Sequence, residues 1–173
     1  MNTIRRHITV SVTFIAITFA MALLYGCDSK KGPTLRKGSP LPSISLPDTG
    51  GNTLEIPGDI KGKLTVILFW SQGCHYCKKE MPFIEPLYAK YRTRGFSFVA
   101  VHMGPGMEAA TQMKADMGLS FPLVVDEKAT LRKLYGIVSV PTMFVLDENG
   151  LISEKVLGGL GVRDIEKMLE ENL

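Results

Sequence analysis

The chain has 173 residues, with 20 Lys and Arg against 17 Asp and Glu, three cysteines and three histidines. A formal charge of +3 with no long basic run argues against a nucleic-acid surface. The length suits one domain with a full core, and so few cysteines cannot form a stapling disulfide framework.

Taken from the start, Arg5 and Arg6 precede eighteen uncharged, mostly apolar residues, 8–25, and then Gly26-Cys27. A basic start, an apolar stretch and a small residue before a cut are the parts of a secretory signal over residues 1–26. Its end resembles a bacterial lipoprotein signal, which implies lipidation of Cys27 as the mature N-terminus. The alternatives are an uncleaved transmembrane anchor, since eighteen apolar residues can just span a bilayer, and simple secretion. All three place the rest of the chain outside the cytoplasm. Without residues 1–26 the chain keeps 147 residues and a formal charge of +1, because two arginines and no acids are lost. Residues 27–40 read as a tether, with Lys30, Lys31, Arg36 and Lys37 set among Gly, Pro and Ser. A flexible segment of that length reaches about 20 Å, and its basic residues suit anionic headgroups.

Residues 44–46 and 53–56 flank Pro47-Asp48-Thr49-Gly50-Gly51-Asn52 and predict a β-hairpin. The apolar run LTVILFW, 64–70, predicts a buried central strand. A helix is predicted from about Cys74 towards Arg94, with a kink or break at Pro82 and Pro86, where each ring removes a backbone donor. A strand over 96–102, a helix over 107–117, a short strand over 123–125 and a short helix over 129–135 follow. Residues 143–146 and 151–157 predict a second hairpin across Asp147-Glu148-Asn149-Gly150, and 162–170 a closing helix. Strands alternating with helices, then a hairpin and a helix, give an α/β fold with a mixed sheet.

The chemistry concentrates in FWSQGCHYCKKEMP, 69–82. Cys74 and Cys77 stand on a first helical turn directly after the central strand, so they can close and reopen a disulfide with little backbone movement. Cys74 faces the unpaired N–H groups and positive dipole end of the helix, which favour a thiolate. Only a thiolate attacks a disulfide, so the placement makes a dithiol redox centre with Cys74 as the exposed nucleophile. Structural zinc needs four ligands, and the only other Cys and His are Cys27, His7, His75 and His102. No metal and no cofactor beyond the Cys74–Cys77 disulfide is expected. Glu80 lies three residues after Cys77, on the same helical face. His75 and Tyr76, between the cysteines, set charge and hydrogen bonding around the thiolate, and Trp70 stands beside the site as an aromatic wall. Met107, Met113 and Met117, with Ala110 at near-helical spacing and Met103 before them, read as an apolar helix face.

From about Gly38 to the end, the chain resembles the thioredoxin fold, and within it the TlpA/ResA-like membrane-tethered thiol-disulfide oxidoreductases. The resemblance rests on the N-terminal hairpin, the FW-x-x-x-C-x-x-C-K-K-E-x-P motif, the extra helix and strand over 107–125, and Val140-Pro141-Thr142. It implies a thioredoxin-like domain over 41–173 and a cis Pro141 facing the dithiol. That would leave the Val140 backbone to pair with an extended substrate segment. Trp70, His75, Tyr76, Val140 and Pro141 are thus the expected substrate-binding residues. The family carries a glutamate at the position of Glu80, so Glu80 is expected to exchange a proton with Cys77. Two departures bear on this. Leu68 stands where thioredoxins carry a buried proton-accepting aspartate, and Gly73 stands where they carry a tryptophan.

The resemblance further implies a monomeric reductant on the outer face of the plasma membrane, often keeping the haem-binding cysteines of apocytochrome c reduced. Such a reductant needs electrons from a membrane thiol donor. The alternatives are a disulfide oxidase or isomerase using the same site, and a thiol-based metallochaperone, whose copper-binding relatives usually show CxxxC rather than CxxC. A peroxiredoxin-type peroxidase would want P-x-x-x-T/S-x-x-C. Ser71 fits that pattern, but Ile67 stands in place of the proline.

Overall fold

The apolar run predicted as the central strand is β3, Leu64–Trp70, and all seven of its residues are buried. A strand without alternation must be covered on both faces, and the structure, a computed structural model describing residues 35–173, shows both coverings. The signal read over 1–26, Cys27 and the first part of the tether lie outside the described residues. Around β3 the chain forms β1 (Ile44–Pro47), β2 (Thr53–Ile56), α1 (His75–Tyr91), β4 (Phe96–Met103), α2 (Met107–Asp116) and β5 (Leu123–Asp126). Next come α3 (Thr130–Leu134), β6 (Thr142–Leu146), β7 (Ile152–Leu157) and α4 (Val162–Asn172). The main sheet has the order β5-β4-β3-β6-β7, with β3, β4 and β5 parallel and β6 and β7 antiparallel. Parallel neighbours need long crossovers, and α1 and α2 supply them. This is the thioredoxin-like mixed sheet that the sequence predicts.

The period-two alternation of β3 divides the core. Leu64, Val66, Leu68 and Trp70 join Cys77, Met81, Ile84, Leu87 and Tyr91 of α1 and Ile165 and Leu169 of α4. Ile67 and Phe69 join Leu131 and Tyr135, on the side of α3, and Leu46 and Ile56 of the β1–β2 hairpin. That hairpin is a separate two-stranded sheet, tied to β5 where Thr49 N–H donates to the Leu123 carbonyl at 3.0 Å. Its turn is held by the Asp48 carboxylate, which accepts from the backbone of Gly50 and Asn52 at 2.8 and 2.7 Å. In α2, Ala110 is buried and Met107, Met113 and Met117 pack against the first core, as an apolar helix face does.

Helix α1 corrects the expectation of a break. It runs unbroken through Pro82 and Pro86. An interior proline costs about 3 kcal/mol or more, while each fully buried aliphatic side chain contributes about 1.5–3 kcal/mol. Met81, Ile84, Leu87 and Tyr91 are buried along one face, and both prolines lie on the exposed face, where water can take the carbonyls they leave unpaired. Packing therefore outweighs the two missing donors. The helix also begins one residue later than predicted, with Cys74 as its cap.

Residues 38–40 add to the β7 edge. Gly38 N–H donates to the Ile152 carbonyl at 2.7 Å, and Ile152 N–H donates to Ser39 at 2.9 Å. Among the described residues no helix is long and apolar enough to cross a membrane.

Candidate active site

The site forms where three chain segments meet at one end of the sheet. Strand β3 ends at Trp70, a short loop follows, and the Cys74 backbone N–H donates to the Ser71 carbonyl at 2.9 Å. Cys74 takes extended backbone angles and caps α1, its Sγ accepting from the Cys77 backbone N–H at 3.3 Å. A sulfur in that position sits among the unpaired N–H groups of the first turn, which is the environment that stabilises a thiolate. Cys74 and Cys77 are joined as a disulfide with Cα atoms 5.4 Å apart. Cys74 is 9% exposed and Cys77 0%, so an incoming sulfur meets Cys74 first. Gly73 leaves open space beside it, since a Cβ there would meet nothing within 4 Å.

The second segment is the start of β6. Val140–Pro141 is a cis peptide bond. Thr142 registers against Phe69, which sets Pro141 at the level of Trp70, at the dithiol end of the sheet. The ladder begins at Thr142, so Val140 lies outside it. The third segment follows β7, where Gly158 N–H donates to the Pro141 carbonyl at 2.9 Å. Next to it Gly159 lies against the carboxylate of Glu80.

Glu80 is half-buried, and its Oε2 has no hydrogen-bond partner among the described residues. Burial pushes its carboxyl pKa up, because a desolvated carboxylate disfavours charge. Leu68, at the position of the thioredoxin aspartate, is wholly buried in the core under α1 and carries no proton. Trp70 is buried with its indole N–H unpartnered among the described residues. His75 and Tyr76 are exposed at the mouth, their rings edge-on at 6.2 Å.

Sequence reasoning missed two features here. His102, at the end of β4, registers beside Trp70, and their ring centroids lie 4.6 Å apart. Its Nδ1 donates to the Gly104 carbonyl at 3.0 Å, so Nε2 is the unprotonated nitrogen of the neutral ring. Burial pulls the imidazole pKa down, the Gly104 carbonyl opposes this, and the nearby Lys78 charge pulls it further down. A histidine ending a predicted strand was the only available signal. The other omission is apolar: besides Tyr76, which the sequence singled out, the exposed large hydrophobic residues among the described ones are Phe83, Val138 and Leu157. Tyr76 lies between the cysteines, Val138 precedes the Pro141 loop, and Leu157 registers beside Thr142. Phe83 lies two turns beyond Tyr76 on α1. Isolated exposed apolar residues are ordinary on a protein surface. Among the described residues no group of three or more His, Cys, Asp and Glu side chains could hold a metal ion.

Comparison with known proteins agrees with this chemistry. The profile of the AhpC/TSA family matches residues 37–155. The thiol-disulfide oxidoreductase ResA of Geobacillus kaustophilus is 32% identical over 133 residues, 77% of this chain and 76% of that protein. ResA of Bacillus subtilis is 28% identical over 154 residues, 89% of this chain and 86% of that protein. Among solved structures, the thioredoxin domain of a thiol-disulfide oxidoreductase from Bacteroides vulgatus superposes with a TM-score of 0.69 at 28% identity. The match covers 80% of this chain and 98% of that one. The chain belongs to the AhpC/TSA family and, within it, to the ResA-like thiol-disulfide oxidoreductases.

Proposed function

We propose that this oxidoreductase is an exported, monomeric reductant whose Cys74 attacks protein disulfides and whose Cys77 resolves the intermediate. The observation that carries the reading is the graded access of the pair, with Cys74 at the helix cap and Cys77 fully buried behind it. The Cys74 thiolate attacks one sulfur of the substrate disulfide, and the other substrate sulfur leaves as a thiolate. The Cys77 thiol gives its proton to the Glu80 carboxylate and attacks Cys74 Sγ. The Cys74–Cys77 disulfide closes and the second substrate thiolate is released, so two electrons have passed to the substrate. His75, Tyr76, Val140 and Pro141 hold the substrate segment, and the cis Val140–Pro141 turn supports that role; Trp70, 1% exposed, corrects the expectation of a substrate contact and backs the site from the core.

Residues 1–26 are the export signal, and Cys27 is the lipid-modified anchor on the outer face of the plasma membrane; the tether expected over 27–40 ends by residue 37, since residues 38–40 join the β7 edge. The basic, apolar and Gly26-Cys27 sequence supports this assignment. The TlpA/ResA-like resemblance supports apocytochrome c cysteines as substrate and a membrane dithiol as electron source. The reduction potential of the Cys74–Cys77 pair tests the direction. A value of about −250 mV or lower fits a reductant, and one near about −120 mV would make the protein an oxidase.

A further inference from the structure

We propose that Gly159 is a positioning residue for Glu80, its missing side chain forming the seat that holds the carboxylate half-buried and unpaired beside the dithiol. The proposal rests on the reading of Glu80 as proton partner of Cys77. Three observations carry it. A Cβ built on Gly159 would overlap Oε1, Oε2 and Cδ of Glu80, so the volume of a methyl group is already filled by the carboxylate. The backbone at Gly159 is not in the left-handed region, whereas Gly158 has φ of +92°. Gly158 is therefore a glycine for its conformation, and Gly159 for the space beside it. Finally, Oε2 of Glu80 is buried with no hydrogen-bond partner among the described residues. An unpaired buried carboxylate persists only if its surroundings keep it from swinging into water.

The seat belongs to the substrate loop as well. Gly158 donates to the Pro141 carbonyl, so one hydrogen bond joins the segment that places Glu80 to the cis-proline turn. A side chain at Gly159 would collide with the mobile end of Glu80 rather than with backbone. Gly159→Ala is therefore tolerated by the fold while moving the carboxylate, and it perturbs Glu80 without altering its chemistry.

The test is a carboxyl titration of the oxidised protein by carbon NMR with labelled glutamate, in wild type and Gly159→Ala. In the wild type, Glu80 is expected to titrate above the ordinary range, and in the variant to fall back towards it. A normal value in the wild type overturns the seat with no variant needed. An unchanged, raised value in a folded Gly159→Ala protein overturns it equally. A second readout is the titration of Cys77 in the reduced protein. Gly159→Ala should shift it in the same direction as Glu80→Gln, and the double variant should shift it no further. Additive shifts would overturn the proposal, since a glycine acting through Glu80 has no effect once Glu80 has no charge. If Glu80 moves in Gly159→Ala but Glu80→Gln leaves Cys77 untouched, the seat stands and the proton-partner reading falls.

Discussion

Replacing Glu80 by Gln removes a charge while keeping the shape that fits against Gly159, so it isolates the electrostatic effect on the thiols. Side chains three apart on a helix have Cβ atoms about 5–6 Å apart. Unit charges about 6 Å apart repel by about 0.7 kcal/mol in water and about 2.8 kcal/mol at an effective dielectric constant near 20. These limits correspond to about 0.5 and 2 pKa units. Glu80 is half-buried and belongs between them, so the Cys77 pKa should fall by about one unit in Glu80→Gln. The sign follows from repulsion: an ionised carboxylate disfavours a neighbouring thiolate, and its loss lets the thiol ionise earlier. Because Cys77 is fully buried, alkylation reports it poorly. The carbon Cβ shifts of labelled cysteine in the reduced protein, followed against pH in a Cys74→Ser background, read it directly. Turnover should also fall by about 100-fold or more if proton transfer limits the rate. Superimposable Cys77 titrations with unchanged turnover would refute the reasoning and leave Glu80 an ordinary helix residue.

Three further outcomes are expected. Cys77→Ser should trap mixed disulfides with partner proteins in cells, detectable as reducible adducts, while Cys74→Ser should trap none; the reverse pattern would invert the assignment of the two sulfurs. Ile84→Ala, at a wholly buried position on the core face of α1, should cost about 2–5 kcal/mol, read as a lower urea midpoint at unchanged slope. His102 has its pKa lowered in the fold, so its contribution to stability is present above the unfolded value of about 6.5 and is lost as pH falls through the folded value. His102→Gln should therefore narrow the gap between urea stabilities at pH 7.5 and pH 5, and an unaltered gap would show that the ring titrates normally.

The dithiol is legible in the residues because it is local. Two cysteines three apart behind an apolar strand need no partner elsewhere in the chain. Every strand and helix of the domain was written in short-range patterning, with boundaries moved by one to three residues where a cap or ladder decided the end. The unbroken α1 could not be read this way, because the local cost of Pro82 and Pro86 is outweighed by contacts of Met81, Ile84, Leu87 and Tyr91 with distant strands. Nor could the surroundings of the cysteines. Strand register sets His102 against Trp70 and Pro141 level with it, across separations that no spacing rule covers. The fit of Glu80 against Gly159 joins residues from α1 and the loop before α4. Sequence by itself determined which atoms react, since a thiolate at a helix start is a local arrangement. Tertiary structure alone decided what tunes them, because burial and the approach of a carboxylate, an imidazole and an indole depend on how the sheet closes.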